Sequence, residues 1–263
     1  MIPALLDMLD TLTADLGALA AGSLGVFIRV GALMALVPAF GEQVVPIRLR
    51  LGLTLAFTAI TAPAIAPLMP AASFAPGPLI HLIATETVAG LVLGIALRLM
   101  IIALQTAGTI AAQATSLAQF FGGAGVDPQP AMAQILVMAG LALALMNGLH
   151  VKLAALIVHS YALFPPGRFP DAASLGAWGV AHAARAFTLA FTLAMPFVIL
   201  SLIYYVALGA INKAMPQLMV AFVGAPAITF AGLAVLLLTA PMILPLWHMA
   251  LEGVLRDPGG MPR

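Results

Sequence analysis

The sequence predicts an all-α protein of the integral membrane type, built from about six hydrophobic segments. Three observations carry that prediction. Of its 263 residues, 63% are hydrophobic and only 7% are charged. With a mean hydropathy of +1.15, this composition belongs to the membrane class rather than to soluble domains. The apolar residues lie in long runs rich in Ala and Leu, near the roughly 20 residues a bilayer span requires, and without strand-type alternation. Pro, Gly and short polar stretches punctuate the runs, as helix ends require.

The first run covers 17–40, carries Arg29 near its middle and closes on Pro38-Ala39-Phe40-Gly41. The N-terminus has no basic region before this run, and acids stand at Asp7, Asp10 and Asp15, so a cleaved signal peptide is not expected. A polar turn over 42–50 places Arg48 and Arg50 after Pro46. The second run, 51–69, contains Pro63 and Pro67. A Pro/Gly-rich turn over 70–78 leads to the third, 79–105, with His81, Glu86 and Arg98. The fourth, 131–163, holds Asn147, His150 and Lys152 and stops at Pro165-Pro166-Gly167. Residues 168–180 read as a polar connection. The fifth run, 181–211, carries Arg185 and Pro196, and a break from Asn212 to Gln217 precedes the sixth, 218–250. The tail, 251–263, reads as polar and unstructured.

Five charged residues, Arg29, Glu86, Arg98, Lys152 and Arg185, fall inside apolar runs. A helix-centre Arg or Lys costs about 2.5–3.5 kcal/mol on insertion scales, so each needs a partner or a polar cavity. Five in one six-helix bundle point to burial against other subunits. The acids near the start and Arg48 with Arg50 after the first run suggest an outside N-terminus, but the remaining Lys and Arg divide almost evenly between the two sides and fix no orientation.

The stretch from Gln119 to Pro130 stands apart. Between two long apolar runs it sets Phe120 and Phe121 beside Gly122, Gly123 and Gly125, then Asp127, Pro128 and Pro130. Glycine and proline break regular structure here. Non-helical backbone at membrane depth persists only where protein buries it or where it lines a wet cavity. The expectation is a buried loop over 113–131 facing a pore. Two large rings on flexible backbone suit a deformable seal, and a plain buried turn is the simpler alternative.

Several chemistries are excluded. Without cysteine there is no disulfide, thiolate or Cys-ligated metal. The five His are dispersed without ligand spacing, and no Gly-x-Ser-x-Gly elbow occurs. Gly122 to Gly125 lacks the following Gly-Lys-Ser/Thr of a phosphate loop, so no cofactor is expected. The net charge is +1 and the basic residues are scattered, which gives no footprint for nucleic acid. His81 with Glu86, and His150 with Lys152, suit either a proton relay or helix-end hydrogen bonds, but residues five and two apart do not share a helix face. A small proton-coupled secondary transporter using Glu86, His150 and Lys152 is the rival reading. It predicts an internal repeat around a midplane site, and no convincing repeat is present. Arg48 and Arg50 suit either a membrane-edge anchor or docking to an acidic patch.

Three stretches carry a family resemblance. They are Pro38-Ala39-Phe40-Gly41 with Val45-Pro46-Ile47-Arg48-Leu49-Arg50-Leu51; Val126-Asp127-Pro128 with Phe164-Pro165-Pro166-Gly167; and Leu208 to Val220, containing Asn212-Lys213-Ala214-Met215-Pro216-Gln217, followed by Val223-Gly224-Ala225-Pro226. Their order and spacing, over roughly 17–250, resemble the FliR family, the R subunit of the flagellar type III export gate, which is related to the T subunit of the injectisome export apparatus. The resemblance implies a non-enzymatic component of the export channel, in the bacterial inner membrane at the flagellar basal body. It implies kinked helical hairpins, with a P-like part over 1–180 fused to a Q-like hairpin over 181–250. One copy would assemble with P and Q subunits, in contact with membrane lipid and with the B and A export-gate proteins, around unfolded substrates in transit. By the same resemblance, Phe120, Phe121, Gly122, Gly123, Gly125, Asp127 and Pro128 belong to a plug. Arg48, Arg50, Asn212, Lys213, Pro216, Gln217 and Gly224 serve assembly, with Asn212 to Gln217 at the bend of the hairpin.

Overall fold

A computed structural model of the chain describes residues 20, 22–41, 45–69, 76–115, 131–215 and 220–260. The described residues form helices and no strands: α1 (Gly22–Met34), α2 (Ile47–Ile65) with a 3-10 turn at Ala66–Leu68, α3 (Pro76–Ala114), α4 (Ala131–Met146), α5 (Leu149–Leu163), α6 (Ala172–Ala214) and α7 (Val220–Arg256). Among the described residues four stretches are long and apolar enough to cross a membrane: Ile47–Leu68, Pro76–Ala114, Ala172–Ala214 and Pro226–Arg256. The pair α4 and α5 passes the same test together but is bent by 74°.

The chain divides into two compact units. The first comprises 1–98, 148–180 and 254–263. The first unit's core draws on one face of α1, where Val26, Val30, Leu33 and Met34 are buried, on Leu82, Ala89, Leu93 and Leu97 of α3, and on Leu153, Leu156 and Ile157 of α5. Helix α2 packs against α5 and is polar on its inner side. Its buried residues are Thr54, Phe57, Thr58, Thr61 and Ile65, while Ile47, Leu49, Leu55 and Ile60 are exposed. The three Thr hydroxyls donate to the carbonyls of Arg50, Thr54 and Phe57 at 2.7–2.9 Å, so the inner face presents methyl groups with its polar atoms already satisfied.

The second unit comprises 99–147 and 181–253. Trp247 of α7 is fully buried there, and its indole N–H donates to the Met100 carbonyl at 2.8 Å. Small residues let the helices close around it. The backbone of Gly108 on α3 lies directly against Ala133 of α4, and a Cβ at Gly140 would sit 2.6 Å from Leu104 and 3.2 Å from the Trp247 ring. Lipid tails are as apolar as leucine, so close packing of this kind rather than the hydrophobic effect holds helices together in a bilayer.

The structure departs from the sequence expectations at four places. The fourth run is two helices, because Asn147 returns its side-chain amide to the Leu143 carbonyl at 2.8 Å and Gly148 takes a left-handed conformation at φ +76°. Unbroken hydropathy concealed that bend. The expected connection 168–180 is mostly helix, since α6 starts at Ala172 behind an Asp171 cap. The expected unstructured tail is helical to Arg256, and Pro258 is buried with its carbonyl accepting the Trp178 indole N–H at 2.8 Å. The polar turn expected at Arg48 and Arg50 is the first turn of α2, which begins directly after its N-cap residue Pro46.

Asp171 accepts the Ser174 backbone N–H on its carboxylate at 2.8 Å, and the Ser174 hydroxyl donates back to the Asp171 carbonyl at 3.0 Å. The hydrogen bond from the Ser174 backbone holds the carboxylate pKa below its ordinary value. A depressed folded-state pKa means stability present above the ordinary carboxylate range and lost as pH falls through the folded value. An Asp171→Asn chain keeps an N-cap without the charge. Its melting temperature in detergent is expected to lie below wild type at neutral pH and to converge with it in acid. A gap that persists unchanged into acid would contradict the charged cap.

Candidate functional site

Arg29 lies in the middle of α1 and Glu86 in the N-terminal third of α3, and both are fully buried at 1% and 0% exposure. Glu86, Gly90 and Gly94 fall four residues apart on α3, so they form one stripe. The two glycines let α1 come close: a Cβ at Gly90 would collide with the Arg29 carbonyl oxygen, and one at Gly94 would sit 2.9 Å from the Leu36 Cβ. That approach sets the Arg29 side chain opposite Glu86, one turn along.

The pairing is a two-pronged fork. Arg29 Nε donates to Glu86 Oε2 at 2.7 Å and Nη2 donates to Oε1 at 3.1 Å. Nη1 donates to the Ser160 hydroxyl at 3.1 Å, and Nη2 also reaches the Phe164 carbonyl at 2.9 Å. The Ser160 hydroxyl passes its own proton to the Ile157 carbonyl at 2.7 Å. Tyr161 closes the cluster: its hydroxyl donates to Glu86 Oε2 at 3.1 Å while its ring lies 3.6 Å from the guanidinium carbon. Four of the five guanidinium N–H groups and both carboxylate oxygens are thereby engaged. A planar guanidinium suits this role better than lysine, since it meets a carboxylate in two parallel bonds and stacks on a ring.

The cluster is neutral and closed, and it joins α1, α3, the end of α5 and the turn after it. Sequence reasoning flagged Arg29 and Glu86 but assigned such charges to burial against other subunits. Two of the five satisfy each other within the chain instead. Ser160, Tyr161 and the Phe164 carbonyl were missed, as were the glycines. The signal available was Gly90-Leu91-Val92-Leu93-Gly94 one turn after an intramembrane acid, a small-xxx-small pattern that marks close helix approach. Arg98, Lys152 and Arg185 are half-buried.

The geometry does not assemble an ion path from the rival's residues. Glu86 is saturated by three donors, while His150 is exposed and Lys152 half-buried on α5. His81 instead pairs its Nε2 with the Gly167 carbonyl at 3.0 Å and meets the Phe169 ring edge-on at 5.3 Å, which ties the start of α3 to the turn at 165–170. Among the described residues no group of His, Asp or Glu converges as a metal site.

Of the residues expected to serve assembly, Arg48 is exposed and Arg50 half-buried in the first turn of α2. Asn212 and Lys213 are exposed but helical, in the last turn of α6, which ends at Ala214. This part of the expected bend is helical. Lys213 there complements the helix dipole. Gly224 of α7 is buried, and a Cβ on it would collide with the Tyr204 hydroxyl of α6. Pro216 and Gln217 lie outside the described residues, as do all seven plug residues, Phe120, Phe121, Gly122, Gly123, Gly125, Asp127 and Pro128.

A family model described as "Bacterial export proteins, family 1" matches residues 21–254. Among curated proteins, the chain is 34% identical over 228 residues to "Flagellar biosynthetic protein FliR" of Caulobacter vibrioides, covering 84% of this chain and 89% of that protein. It is 29% identical over 221 residues to the protein of the same name in Escherichia coli K12, covering 83% and 84%. The protein of that name in Pectobacterium carotovorum is 29% identical over 229 residues, covering 83% and 84%.

Removing one partner of a buried ion pair strands the other, at a cost of about 3–5 kcal/mol, whereas replacing both by apolar groups is often near neutral. Arg29→Met and Glu86→Leu, each alone, are therefore expected to destabilise the chain by that order, and the double variant to recover most of the loss. Unfolding in detergent across the double-mutant cycle measures the coupling. Additive losses would mean that the two side chains act separately.

Proposed function

This chain belongs to the bacterial export proteins of family 1, and from that membership we propose that it is a non-enzymatic component of the flagellar type III protein-export channel. The observation that carries the reading is the family match across 21–254 together with relatives named for flagellar biosynthesis over more than four-fifths of the chain. The finer reading is a hetero-oligomer in the bacterial inner membrane at the flagellar basal body. One copy of this chain joins P and Q subunits and meets the B and A export-gate proteins, and unfolded substrates pass along the shared path. In it 1–180 act as a P-like part and 181–250 as a Q-like hairpin. Energy comes from an ATPase and the proton-motive force acting on the partners.

Three physical features support this assignment. Large apolar side chains are exposed along α2, α6 and α7, more than solvent tolerates and in keeping with cover by lipid and neighbouring subunits. Arg48 and Arg50 occupy the first turn of α2, which carries no acid, although the helix dipole disfavours cations there by about 0.3–1 kcal/mol. A position that opposes local stability suits docking to an acidic patch on a neighbour. The stretch 116–130 joins the end of α3 to the start of α4 in the second unit, and its paired Phe and glycines suit the plug that holds the path shut at rest.

Two outcomes are expected. After co-expression with its neighbouring membrane genes and gentle purification, native mass should give a defined hetero-assembly with one copy of this chain; a monomer or homodimer indifferent to every neighbour would end the channel reading. Replacing Gly122 and Gly123 by Ala should alter export, and shortening 119–130 should make the membrane leaky to ions. Normal export with normal ion tightness in both variants would remove the plug assignment.

A further inference from the structure

Helix α7 contains Pro226, Pro241 and Pro245, and all three are exposed. Proline has no N–H, so each leaves the carbonyl four residues earlier without its helical donor. Pro241 does this to Leu237 and Pro245 does it to Pro241 itself. The two carbonyls therefore fall one helical turn apart, about 5.4 Å along the axis, on one face. Around them Phe230, Leu237 and Met242 are 76%, 77% and 75% exposed, and most of this span is not buried within the chain.

Three surroundings can cover such a face. Lipid tails match its apolar side chains but offer no donor to the carbonyls, and carbonyls freed by proline in a span are re-satisfied by neighbouring helices, side chains, water or local helix adjustment. A water-filled lumen supplies donors but leaves a row of Leu, Phe and Met wet. A neighbouring helix supplies both. We propose that this face of α7 seats a transmembrane helix of another subunit, one that presents hydroxyl or amide donors about one turn apart to the carbonyls of Leu237 and Pro241. The complementarity is electrostatic, partial negative charge on the carbonyls against N–H or O–H dipoles. The inference rests on the reading of the chain as part of a hetero-oligomeric channel and names the chemistry of one of its contacts.

The test uses the full chain co-expressed with its neighbouring membrane subunits. Pro241→Ala with Pro245→Ala restores both helical N–H groups, so the carbonyls no longer need an outside donor and the neighbour's donors lose their acceptors. The share of this chain recovered in the hetero-assembly should fall, by roughly three- to twentyfold for each hydrogen bond lost in a membrane interior. The melting temperature of the chain purified alone should hold or rise, because alanine favours the helix. As the chain has no native cysteine, a Met242→Cys variant reports on water directly. In the assembly it should resist a hydrophilic maleimide, and it should become reactive when the assembly is dissociated in mild detergent. Undiminished assembly of the double proline variant overturns the inference, as does rapid labelling in the intact assembly or a mass showing a second copy of this chain on the face. A wild-type chain that never enters a hetero-assembly overturns the channel reading and the inference together. An assembly indifferent to the prolines overturns the inference alone.

Discussion

The first unit depends on satisfying two opposite charges in a medium that solvates neither. Arg29 in the middle of α1 and Glu86 in the N-terminal third of α3 are each expensive alone in a bilayer. Paired in a fork, with Ser160, Tyr161 and the Phe164 carbonyl adding three further bonds, they form a neutral group. This requirement fixes much else. Helix α1 must approach α3 closely enough for the fork to close, so Gly90 and Gly94 carry no side chain where α1 crosses. The end of α5 must arrive at the same depth, which holds Phe164 and the turn after it against the guanidinium. A short helix such as Gly22–Met34 has little apolar length with which to hold its place in lipid. The ion pair and the tight crossing give it one.

The second unit is held largely by shape, and its His248–Glu252 contact at 3.2 Å lies within one helix. Trp247 fills the space that Gly140 leaves open, Gly108 admits Ala133, and a Cβ at Gly232 would sit 2.7 Å from Thr115. Helix α2 of the first unit puts Thr54, Thr58 and Thr61 inward and leaves Leu49, Leu55 and Ile60 outward. In water that distribution would be inverted. Here the inward polar atoms are bonded to carbonyls within the same helix, and the outward apolar ones face surroundings that resemble them.

The sequence made the fold class plain because composition and run length act through the bilayer, a constraint that applies to every residue of a span. It made helix boundaries less plain where a single residue decides them. Gly148 bends a run whose hydropathy never drops, and Asp171 starts a helix inside a stretch that looked like a connection. The buried cluster was half legible. Arg29 and Glu86 stood out as intramembrane charges, but Ser160, Tyr161 and Phe164 are ordinary residues whose role exists only once α5 reaches the pair. A charge in a run reports that it needs a partner without reporting where the partner is. Pattern reading looked outside the chain, while a glycine stripe one turn from Glu86 pointed inside it.

The same distinction separates the residues expected to serve assembly. Gly224 has a sufficient local reason: the Tyr204 hydroxyl lies where its side chain would be, so closure of the α6–α7 hairpin accounts for it without any partner. Lys213 likewise sits at the helix end that its charge favours. Arg48 and Arg50 have the opposite character, since cations in the first turn of α2 weaken the helix that carries them. Pro241 and Pro245 also weaken theirs by removing backbone donors in the middle of a span. Residues that stabilise their own element need no explanation from outside it. Those that work against it suit contacts beyond the chain, which is the reading proposed for the N-terminal turn of α2 and the proline face of α7.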